Sequence, residues 1–256
     1  MMSKVKITIV TPNYNGEKYL EHTLQSVRNQ SDKDFEYIIV DGDSTDSSHD
    51  ILEKNSDVYD ILEIKKDKNM FEALDRGIRK AKGDIIIWIN SDDILHKDAV
   101  KNVKRIFGQE LKKLDWINGV AGYIKNDFKF TFIPYIYPRS IIKKGYARKS
   151  NWGYIQQEST CFSKNLYLRS GGFKFKDKVA CDYYLWLEFA KFSSLETYYI
   201  KIGYFRSHAD QITQKSKNIY EQDTGKPSSI FDINLIRLIF SFINLPYVFI
   251  KTFFIK

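Results

Sequence analysis

Residues 83–93 read GDIIIWINSDD, a short apolar run that ends in two adjacent carboxylates. The apolar part, 84–89, is the most apolar strand candidate in the chain, and such an unbroken run is typical of a strand buried on both faces of a parallel sheet. Gly83 is a candidate C-cap for a preceding helix. The stretch therefore predicts an α/β fold with Asp92 and Asp93 just beyond the carboxyl end of a central strand.

The residues before this stretch repeat the alternation of strand and helix. Apolar runs and helical periodicity predict the order strand 5–11, helix 17–29, strand 35–40, helix 44–52, strand 61–65 and helix 71–81. This order is typical of a parallel sheet covered by helices. Two of these strands also end on polar residues, Thr11 and Asp41. Because parallel strands place their carboxyl ends at one sheet edge, we expect these residues to converge with Asp92 and Asp93.

The second half gives weaker patterns. They predict helices at 99–107 and 182–191 and strands at 116–124, 128–133 and 197–202. The segment 138–149 is predicted to be a flexible basic connection. Its basic residues are Arg139, Lys143, Lys144, Arg148 and Lys149.

Bulk composition restricts the class of partner. The net charge of +8 and pI near 9.1 favour an anionic partner, but no DNA or RNA motif is present and the positive charge is spread, so no nucleic acid is expected. Cys161 and Cys181 have no metal-site spacing and are expected to be reduced packing residues. The amino-terminal residues do not resemble a secretion signal, which predicts a cytoplasmic protein.

The adjacent carboxylates at Asp92 and Asp93 indicate a bound cation. Two neighbouring acids repel each other when both are ionised, and a hard divalent ion relieves that repulsion. Mg²⁺ or Mn²⁺ typically takes one or two protein carboxylates together with phosphate oxygens of a substrate, so a diphosphate is the implied ligand. Neither a P-loop motif nor a Gly-rich dinucleotide motif occurs, which argues against P-loop hydrolysis and hydride transfer.

An ordered series of motifs resembles the inverting family 2 glycosyltransferases of GT-A fold, especially enzymes of bacterial surface-polysaccharide synthesis. The series is TPNYNGEKYLEHTLQSVRNQ, EYIIVDGDSTDSS, EALDRGIRKAKGD, INSDD, GGF, CDYYLWLEFA and FRSHADQIT. The resemblance implies a mostly parallel sheet flanked by helices in one domain, 1–229. Its first part, about 1–95, would bind a nucleotide sugar, and about 96–229 would bind the acceptor. An amphipathic helical tail, 230–256, would follow.

The same resemblance implies roles for individual residues. Asp182 would be the general base, for which a helix N-cap is the alternative. His208 would lie at the metal and diphosphate, for which a turn histidine is the alternative. Relatives commonly carry an acid before the base, where this chain has Cys181, and the segment 69–77 also departs from the family pattern. The remaining implied residues are the nucleotide-binding Thr11, Pro12, Asn13, Asp41 and Asp92 and the metal ligand Asp93.

The implied reaction is transfer of a sugar, with inversion, from a nucleotide diphosphate sugar to an acceptor hydroxyl. A UDP-sugar donor, Mg²⁺ or Mn²⁺ and a lipid-linked or saccharide acceptor are expected, and a homodimer is a further expectation. The alternative function is a non-catalytic protein that binds nucleotide sugar or polysaccharide. A group of residues in the second half has aromatic and amide side chains that suit a sugar, although packing is the alternative for them. They are Trp152, Tyr154, Gln156, Gln157 and Glu158.

The tail contains the uncharged segment LIFSFINLPYVFI, residues 238–250. It is predicted to be too short to span a membrane, which takes about 20 apolar residues, and to be interrupted by Pro246. Apolar residues flanked by Arg237, Lys251 and Lys256 predict a peripheral anchor on the anionic inner face of the cytoplasmic membrane. The alternative is a pair of short helices docked on the domain or on a second subunit.

Overall fold

The strands alternate with helices through the first hundred residues, as predicted. The computed structural model describes residues 5–110, 114–125, 128–148, 152–174, 179–208, 211, 217–224 and 233–254. The described strands are β1 (Ile7–Asn13), β2 (Glu36–Asp41), β3 (Ile61–Ile64), β4 (Ile85–Trp88), β5 (Ile94–Leu95), β6 (Trp116–Val120), β7 (Gly122–Lys125), β8 (Phe128–Thr131), β9 (Thr160–Ser163), β10 (Glu196–Lys201) and β11 (Gly203–Arg206).

The helices cover the central sheet and continue into the tail. Their described bounds are α1 (Leu20–Arg28), α2 (Ser48–Lys54), α3 (Met70–Lys80), α4 (Ala99–Glu110), α5 (Arg139–Lys143), α6 (Lys164–Ser170), α7 (Cys181–Phe192), α8 (Lys217–Thr224) and α9 (Ile233–Phe253), with a 3-10 helix at Gln157–Ser159. Asn69 caps α3 by accepting from two backbone N–H groups, and Ser163 caps α6 in the same way with one.

The central sheet has, in the described residues, seven strands in the order β10-β6-β9-β4-β1-β2-β3. Strand β1 is parallel to β2 and β4, while β9 is antiparallel between β4 and β6. Strands β4 and β6 therefore point the same way, and their carboxyl ends share one edge with those of β1 and β2. A smaller sheet has the order β5-β11-β7-β8. The predicted mostly parallel α/β fold is confirmed.

The core lies on both faces of this sheet, which explains why β4 reads as an unbroken apolar run. One face packs Ile86 and Trp88 with α3 and α7, and the other packs Ile85 and Ile87 with α1 and α4. All four side chains of β4 are buried. Cys161 and Cys181 are both buried and neither forms a disulfide, which agrees with the predicted packing role.

The single strand predicted at 116–124 is wrong, because the chain changes sheets at Ala121. Strand β6 joins the central sheet and β7 joins the smaller one. Glycine permits both close backbone approaches: a Cβ at Gly119 would lie 2.4 Å from the Ile200 carbonyl oxygen, and one at Gly122 would lie 2.6 Å from that of Gly203.

The flexible connection predicted at 138–149 is also wrong over its described part. Residues Arg139–Lys143 form α5, and Ile142 is buried. Arg139 donates at 2.7 Å to the carbonyl oxygens of both Ala190 and Lys191 at the end of α7. A basic side chain satisfies the unpaired carbonyls of a helix terminus in this way. Lys149 lies outside the described residues.

Residues Ile233–Phe253 of the tail form one helix, α9, that continues through Pro246, so the predicted interruption is wrong. By length and composition its segment 236–253 could cross a membrane, with a mean hydropathy of 1.4 and only 17% of it buried. One face packs on the domain through Ser241, Val248 and Thr252, and the Thr252 hydroxyl accepts from the Tyr199 N–H on β10 at 2.7 Å.

The other face of α9 is apolar and exposed. We call it the outer face of α9; its residues are Ile236, Leu238, Ile239, Phe240, Phe242, Ile243, Tyr247, Phe249, Ile250 and Phe253. The cations predicted to meet lipid point elsewhere. Lys251 pairs with Glu196 and lies 4.2 Å from the centre of the Tyr198 ring, while Arg237 donates to the Trp152 carbonyl. Lys256 lies outside the described residues.

Candidate functional site

Asp41 ends β2 and is fully buried among hydrogen-bond donors. Asn13 Nδ2 donates to its Oδ2 at 2.6 Å, and Ser44 donates through its N–H at 2.7 Å and its hydroxyl at 2.8 Å. His49 Nε2 lies 3.1 Å from Oδ1. Because a carboxylate accepts about four hydrogen bonds, Asp41 fixes the loop after β2. Its contact with a nucleotide base stays a prediction.

The end of β1 holds the other predicted nucleotide residues. Thr11 and Pro12 are buried, and the Thr11 hydroxyl accepts from Tyr37 Oη at 3.0 Å. Asn13 pairs with Asp41 across the strands, and its Oδ1 is buried without a partner among the described residues. A Cβ at Gly16 would lie 2.1 Å from that oxygen, so any larger residue there would displace the Asn13 amide. Asn13 thus offers an unused acceptor at the sheet edge.

Tyr14 and Asp67 frame the same edge, although their sequence context did not single them out. A Cβ at Gly42 would lie 3.2 Å from atoms of both side chains, so they flank the backbone that follows Asp41. The Tyr14 side chain is 63% exposed. Burial raises the pKa of Asp67, and Arg76, which donates to it at 3.4 Å, opposes that rise. A ring and a charged pair there can receive a nucleoside.

Asp92 and His208 meet at the carboxyl end of β4. His208 Nε2 lies 2.9 Å from Asp92 Oδ2, although the two residues are far apart in sequence. The His208 ring packs on Tyr19, with centroids 4.6 Å apart, and its Nδ1 is buried without a partner among the described residues. The structure therefore brings together the predicted nucleotide ligand and one predicted metal ligand.

Asp93 is fully buried beside this pair and is held by protein donors. Its Oδ1 accepts from the Arg206 N–H at 2.8 Å, and its Oδ2 accepts from Asn90 Nδ2 at 3.1 Å. Arg206 Nε also donates to the Asp92 carbonyl oxygen at 2.9 Å, and its guanidinium lies 4.9 Å from the centre of the Tyr19 ring. The loop of the two acids is thus fixed by β11, which sequence reasoning had not connected to it.

Glu158 is a third acid at this point, and its position was missed. The sequence suggested only an acceptor contact for it, whereas the structure buries it in the 3-10 helix with its carboxyl hydrogen-bonded to Asp93. The pKa of Glu158 is raised to about 7, chiefly by burial, with the charges of Asp92 and Asp182 contributing and the hydrogen bond with Asp93 opposing the rise. Burial likewise raises the pKa of Asp93 well above its usual range, with Asp92 and Glu158 adding to the effect.

The donor chemistry of this cluster fits a hard divalent ion. Among the described residues, no three His, Cys, Asp or Glu side chains already converge as a metal centre. Asp92 is partly exposed and lies against the His208 imidazole. The charge of Asp92 raises the pKa of both Asp93 and Glu158, and Glu158 also raises that of Asp93, which indicates an excess of negative charge that a divalent cation would neutralise.

Asp182 lies in the first turn of α7, where Ala180 and not Asp182 is the N-cap residue, and its general-base role stays a prediction. Tyr220 Oη on α8 lies 3.4 Å from Asp182 Oδ1. Burial raises the pKa of Asp182 to about 6, with the Tyr183 N–H and the Tyr220 hydroxyl opposing the rise. A carboxylate with such a pKa is ionised at neutral pH and can accept a proton.

A family profile and two relatives match this chain in sequence. The profile described as Glycosyl transferase family 2 matches residues 8–170. The putative teichuronic acid biosynthesis glycosyltransferase TuaG of Bacillus subtilis is 33% identical over 101 residues, which cover 38% of this chain and 40% of TuaG. The poly(ribitol-phosphate) beta-N-acetylglucosaminyltransferase TarP of Staphylococcus aureus is 27% identical over 229 residues, covering 82% of this chain and 67% of TarP.

Solved structures share the fold. Residues 1–349 of S. aureus TarS in complex with UDP-GlcNAc give a TM-score of 0.64 at 17% identity, over 80% of this chain and 60% of TarS 1–349. The mannosyltransferase PcManGT of Pyrobaculum calidifontis with GDP-Man and Mn²⁺ gives 0.59 at 16% identity, over 97% of this chain and 73% of that protein. The chain thus spans less than two thirds of TuaG and of the TarS structure.

Proposed function

The chain belongs to glycosyl transferase family 2, and from that membership we propose that it transfers a sugar from a nucleotide diphosphate sugar to a hydroxyl group during cell-surface polysaccharide synthesis. The reaction is a single displacement with inversion at the anomeric carbon. TuaG, TarP and the poly(ribitol-phosphate) beta-glucosyltransferase of Bacillus spizizenii, named for teichuronic acid or poly(ribitol-phosphate) glycosylation, support this class of acceptor.

One observation carries the proposal: two chemically different acid groups lie near one sheet edge. Asp92 and Asp93 form a negatively charged cluster suited to a cation and a diphosphate. Asp182, on the acceptor half of the chain, is a separate carboxylate whose charge still raises the pKa of Glu158 in that cluster. A displacement needs this division, with one group stabilising the leaving diphosphate and another taking the proton of the attacking hydroxyl.

Asp92, Asp93 and His208 would hold the divalent ion. When bound, Mg²⁺ or Mn²⁺ supplies a Lewis acid for the departing diphosphate. The complexes of TarS with UDP-GlcNAc and of PcManGT with GDP-Man and Mn²⁺ support a nucleotide-sugar donor and a divalent ion, and the former favours UDP. Asn13, Asp41 and the exposed ring of Tyr14 would contact the nucleoside. Thr11 and Pro12, which are buried, would pack behind these residues.

Asp182 would accept the proton of the acceptor hydroxyl. Its hydrogen bond from Tyr220 and its position in the first turn of α7 orient the carboxylate and favour its ionised form. Burial in turn makes it a stronger base than a free aspartate, whose pKa is about 4. Positioning then accounts for the rest of the rate.

The outer face of α9 would rest on the inner surface of the cytoplasmic membrane, close to a lipid-linked acceptor. A contiguous apolar surface of this kind marks a membrane or protein interface. The helix is long enough to span, but Ser241, Val248 and Thr252 attach its other face to the domain. That attachment favours a helix lying along the surface, with apolar contact providing the affinity because Arg237 and Lys251 point into the protein.

The test uses the full chain with Mg²⁺ or Mn²⁺, a panel of labelled UDP- and GDP-sugars and either lipid-linked or soluble saccharide acceptors. We expect metal-dependent transfer from one donor, loss of transfer on addition of EDTA, and thermal stabilisation by the matching nucleotide. Asp182→Asn should still be stabilised by that nucleotide. Donor binding without transfer to any acceptor would instead support the non-catalytic binding protein.

A further inference from the structure

A cavity of about 310 Å³ opens between the end of β6, the start of β7, the loop 152–159 and α9. It lies at the edge where β1, β2 and β4 also end, because β6 and β4 point the same way. Nothing in the donor-side chemistry uses this cavity. Five aromatic side chains line it: Tyr123, Phe132, Tyr135, Tyr137 and Tyr154.

Arg237 of α9 supplies the positive charge of the cavity. Its guanidinium lies 4.2 Å from the centre of the Tyr135 ring and donates to the Trp152 carbonyl oxygen at 2.6 Å. Gly153 leaves the room for it, since a Cβ there would lie 1.6 Å from Arg237 Nη1. Among the described residues, this guanidinium donates to a carbonyl oxygen and forms no ion pair with a carboxylate.

Two buried polar atoms on the cavity residues have no partner among the described residues. They are Arg237 Nε, a donor, and Gln156 Oε1, an acceptor. The other end of the Gln156 amide is fixed, because its Nε2 donates to the Gly122 carbonyl oxygen at 2.6 Å. An unpaired buried polar group is unfavourable, so a ligand that supplies both an acceptor and a hydroxyl is favoured.

The cavity adjoins the candidate catalytic groups on two sides. Ser159, which lines it, directly follows Glu158 of the carboxylate cluster. On the other side the Tyr154 ring packs edge-on against Tyr220, with centroids 5.1 Å apart, and the Tyr220 hydroxyl lies 3.4 Å from Asp182. A saccharide held here would therefore lie beside the proposed base.

We propose that this cavity binds an anionic sugar unit of the acceptor, with aromatic faces around the ring and Arg237 at its phosphate or carboxylate group. The proposal rests on the proposed function, whose acceptor it specifies. Aromatic rings pack on the apolar faces of sugars, and arginine matches the planar geometry of carboxylate and phosphate oxygens. The helix that presents its outer face to lipid would then also supply the residue that selects the acceptor.

The test measures binding of three probes to the full chain by titration calorimetry, with UDP and Mg²⁺ present at saturation. The probes are glucose 1-phosphate, glucuronic acid and glucose. We expect at least one anionic sugar to bind about ten-fold or more tightly than glucose, because a hydrogen bond to a charged group has about that effect. The anion that binds identifies a phosphorylated or a carboxylated acceptor.

Two variants address the site itself. Arg237→Met should reduce the affinity for the anionic sugar to that for glucose, and Ala121→Phe should fill the cavity and abolish binding of all three probes. Arg105→Met is the matched control, since Arg105 also donates to a carbonyl oxygen of α9, that of Thr252, at 3.3 Å but does not line the cavity. It should bind like the unmodified chain.

Equal affinity for glucose and the anionic sugars would overturn the proposal, as would unchanged binding by Ala121→Phe with its thermal transition intact. Inorganic phosphate binding as tightly as glucose 1-phosphate would contradict the saccharide part. Thermal stabilisation by UDP and Mg²⁺ is measured in parallel. If UDP and Mg²⁺ do not stabilise the unmodified chain, the proposed function is contradicted. If they do stabilise it but the unmodified chain binds none of the three sugars, only the proposal for this cavity is contradicted.

Discussion

The donor edge, formed by Asn13, Asp41, Asp92, Asp93 and His208, and the acceptor cavity beside Arg237 lie at the same end of the sheet but differ in how their charged side chains are satisfied. Both leave other buried polar atoms without a partner among the described residues, and at the donor edge these are Asn13 Oδ1 and His208 Nδ1. At the donor edge, Asp41 and Asp93 each accept several hydrogen bonds from the protein, and Arg206 fixes the acidic loop. In the cavity, Arg237 Nε and Gln156 Oε1 have no partner in the described part of the chain.

This difference indicates which ligand each region is built to receive. The donor edge fixes its acids before any ligand arrives, as electrostatic stabilisation of a leaving diphosphate requires. The acceptor cavity has one hydrogen-bond donor atom and one hydrogen-bond acceptor atom that the substrate would satisfy. Such atoms reject a ligand that lacks matching groups. Donor chemistry would then be common to the family, while acceptor choice would depend on the cavity and α9.

The largest expected effect is the loss of transfer when Asp182 is replaced. Asp182→Asn should reduce transfer by about 10³-fold, because loss of a general base costs about 10² to 10⁴ in rate. The donor edge should be unaffected, so the thermal stabilisation by UDP and Mg²⁺ should stay unchanged. Initial rates and thermal shifts on the same preparation check both statements.

Asp223→Asn is the matched control, because the Asp223 carboxylate accepts the Val179 N–H at 2.9 Å at the start of the same helix. It should destabilise the fold while leaving most of the activity. At pH 8, Asp182→Asn should instead stabilise the fold and lose most of the activity. The fold is stabilised because burial of a charged group with a raised pKa costs stability. That gain should disappear as the pH falls from about 6 towards 4. A variant of Asp182 that instead loses stability at pH 8 would contradict the catalytic role.

The next effect concerns the donor edge alone. Asp93→Asn should reduce transfer by about 10²-fold and weaken the metal-dependent stabilisation by UDP, because the loss of a charged ligand removes several kcal/mol of charge stabilisation. Affinity for an acceptor sugar should not change. Asp98→Asn provides the control, as its carboxylate accepts from the Ser31 hydroxyl at 2.8 Å outside the cluster. A defect in acceptor binding with normal metal dependence would break the comparison.

A smaller effect is expected from pH. Because burial raises the pKa of Asp182 to about 6, kcat/KM should be level above about pH 7 and fall about ten-fold between pH 7 and pH 5. The ionised carboxylate is the active form, so the rate declines as protons are added. UDP affinity, measured over the same range by calorimetry, should be less sensitive at pH 6. Parallel declines in both quantities at that pH would assign the titration to the donor edge.

Much of the donor edge could be predicted from the sequence because it depends on local patterns. Apolar runs that end in Asp41 and Asp92 predict strand ends, and parallel pairing then brings them to one edge. Asn13 and Asp41 are indeed paired in register. Donor-edge contacts made by β11 were not predictable in this way, since Arg206 reaches Asp93 across more than a hundred residues.

The second half of the chain was predicted less well, and the reason is topological. Strand β9 enters antiparallel between β4 and β6, which brings Glu158 to Asp93, and no local pattern specifies that order. Pro246 is a further case. Proline disfavours a helix interior, yet α9 continues through it, with Asn244 Nδ2 donating to the Phe240 carbonyl oxygen at 2.8 Å in the turn before. Packing against β10 overrides the local preference.

The smallest effect on catalysis is expected from the outer face of α9. Phe242, whose side chain is 69% exposed, should insert into lipid in a membrane-bound enzyme. Phe242→Ser should lower binding to anionic phospholipid vesicles about five-fold, since loss of about 1 kcal/mol of apolar burial corresponds to that factor. Transfer to a soluble acceptor should change less than about two-fold, because the side chain contacts neither region. Leu168→Ser, which replaces another exposed apolar side chain, on α6, is the control for general loss of hydrophobicity. Vesicle sedimentation and the elution volume of the protein distinguish the outcomes. If both variants bind vesicles like the unmodified chain, and the protein elutes as a dimer that Phe242→Ser dissociates, the outer face of α9 binds a second subunit. The acceptor would then reach the cavity from solution.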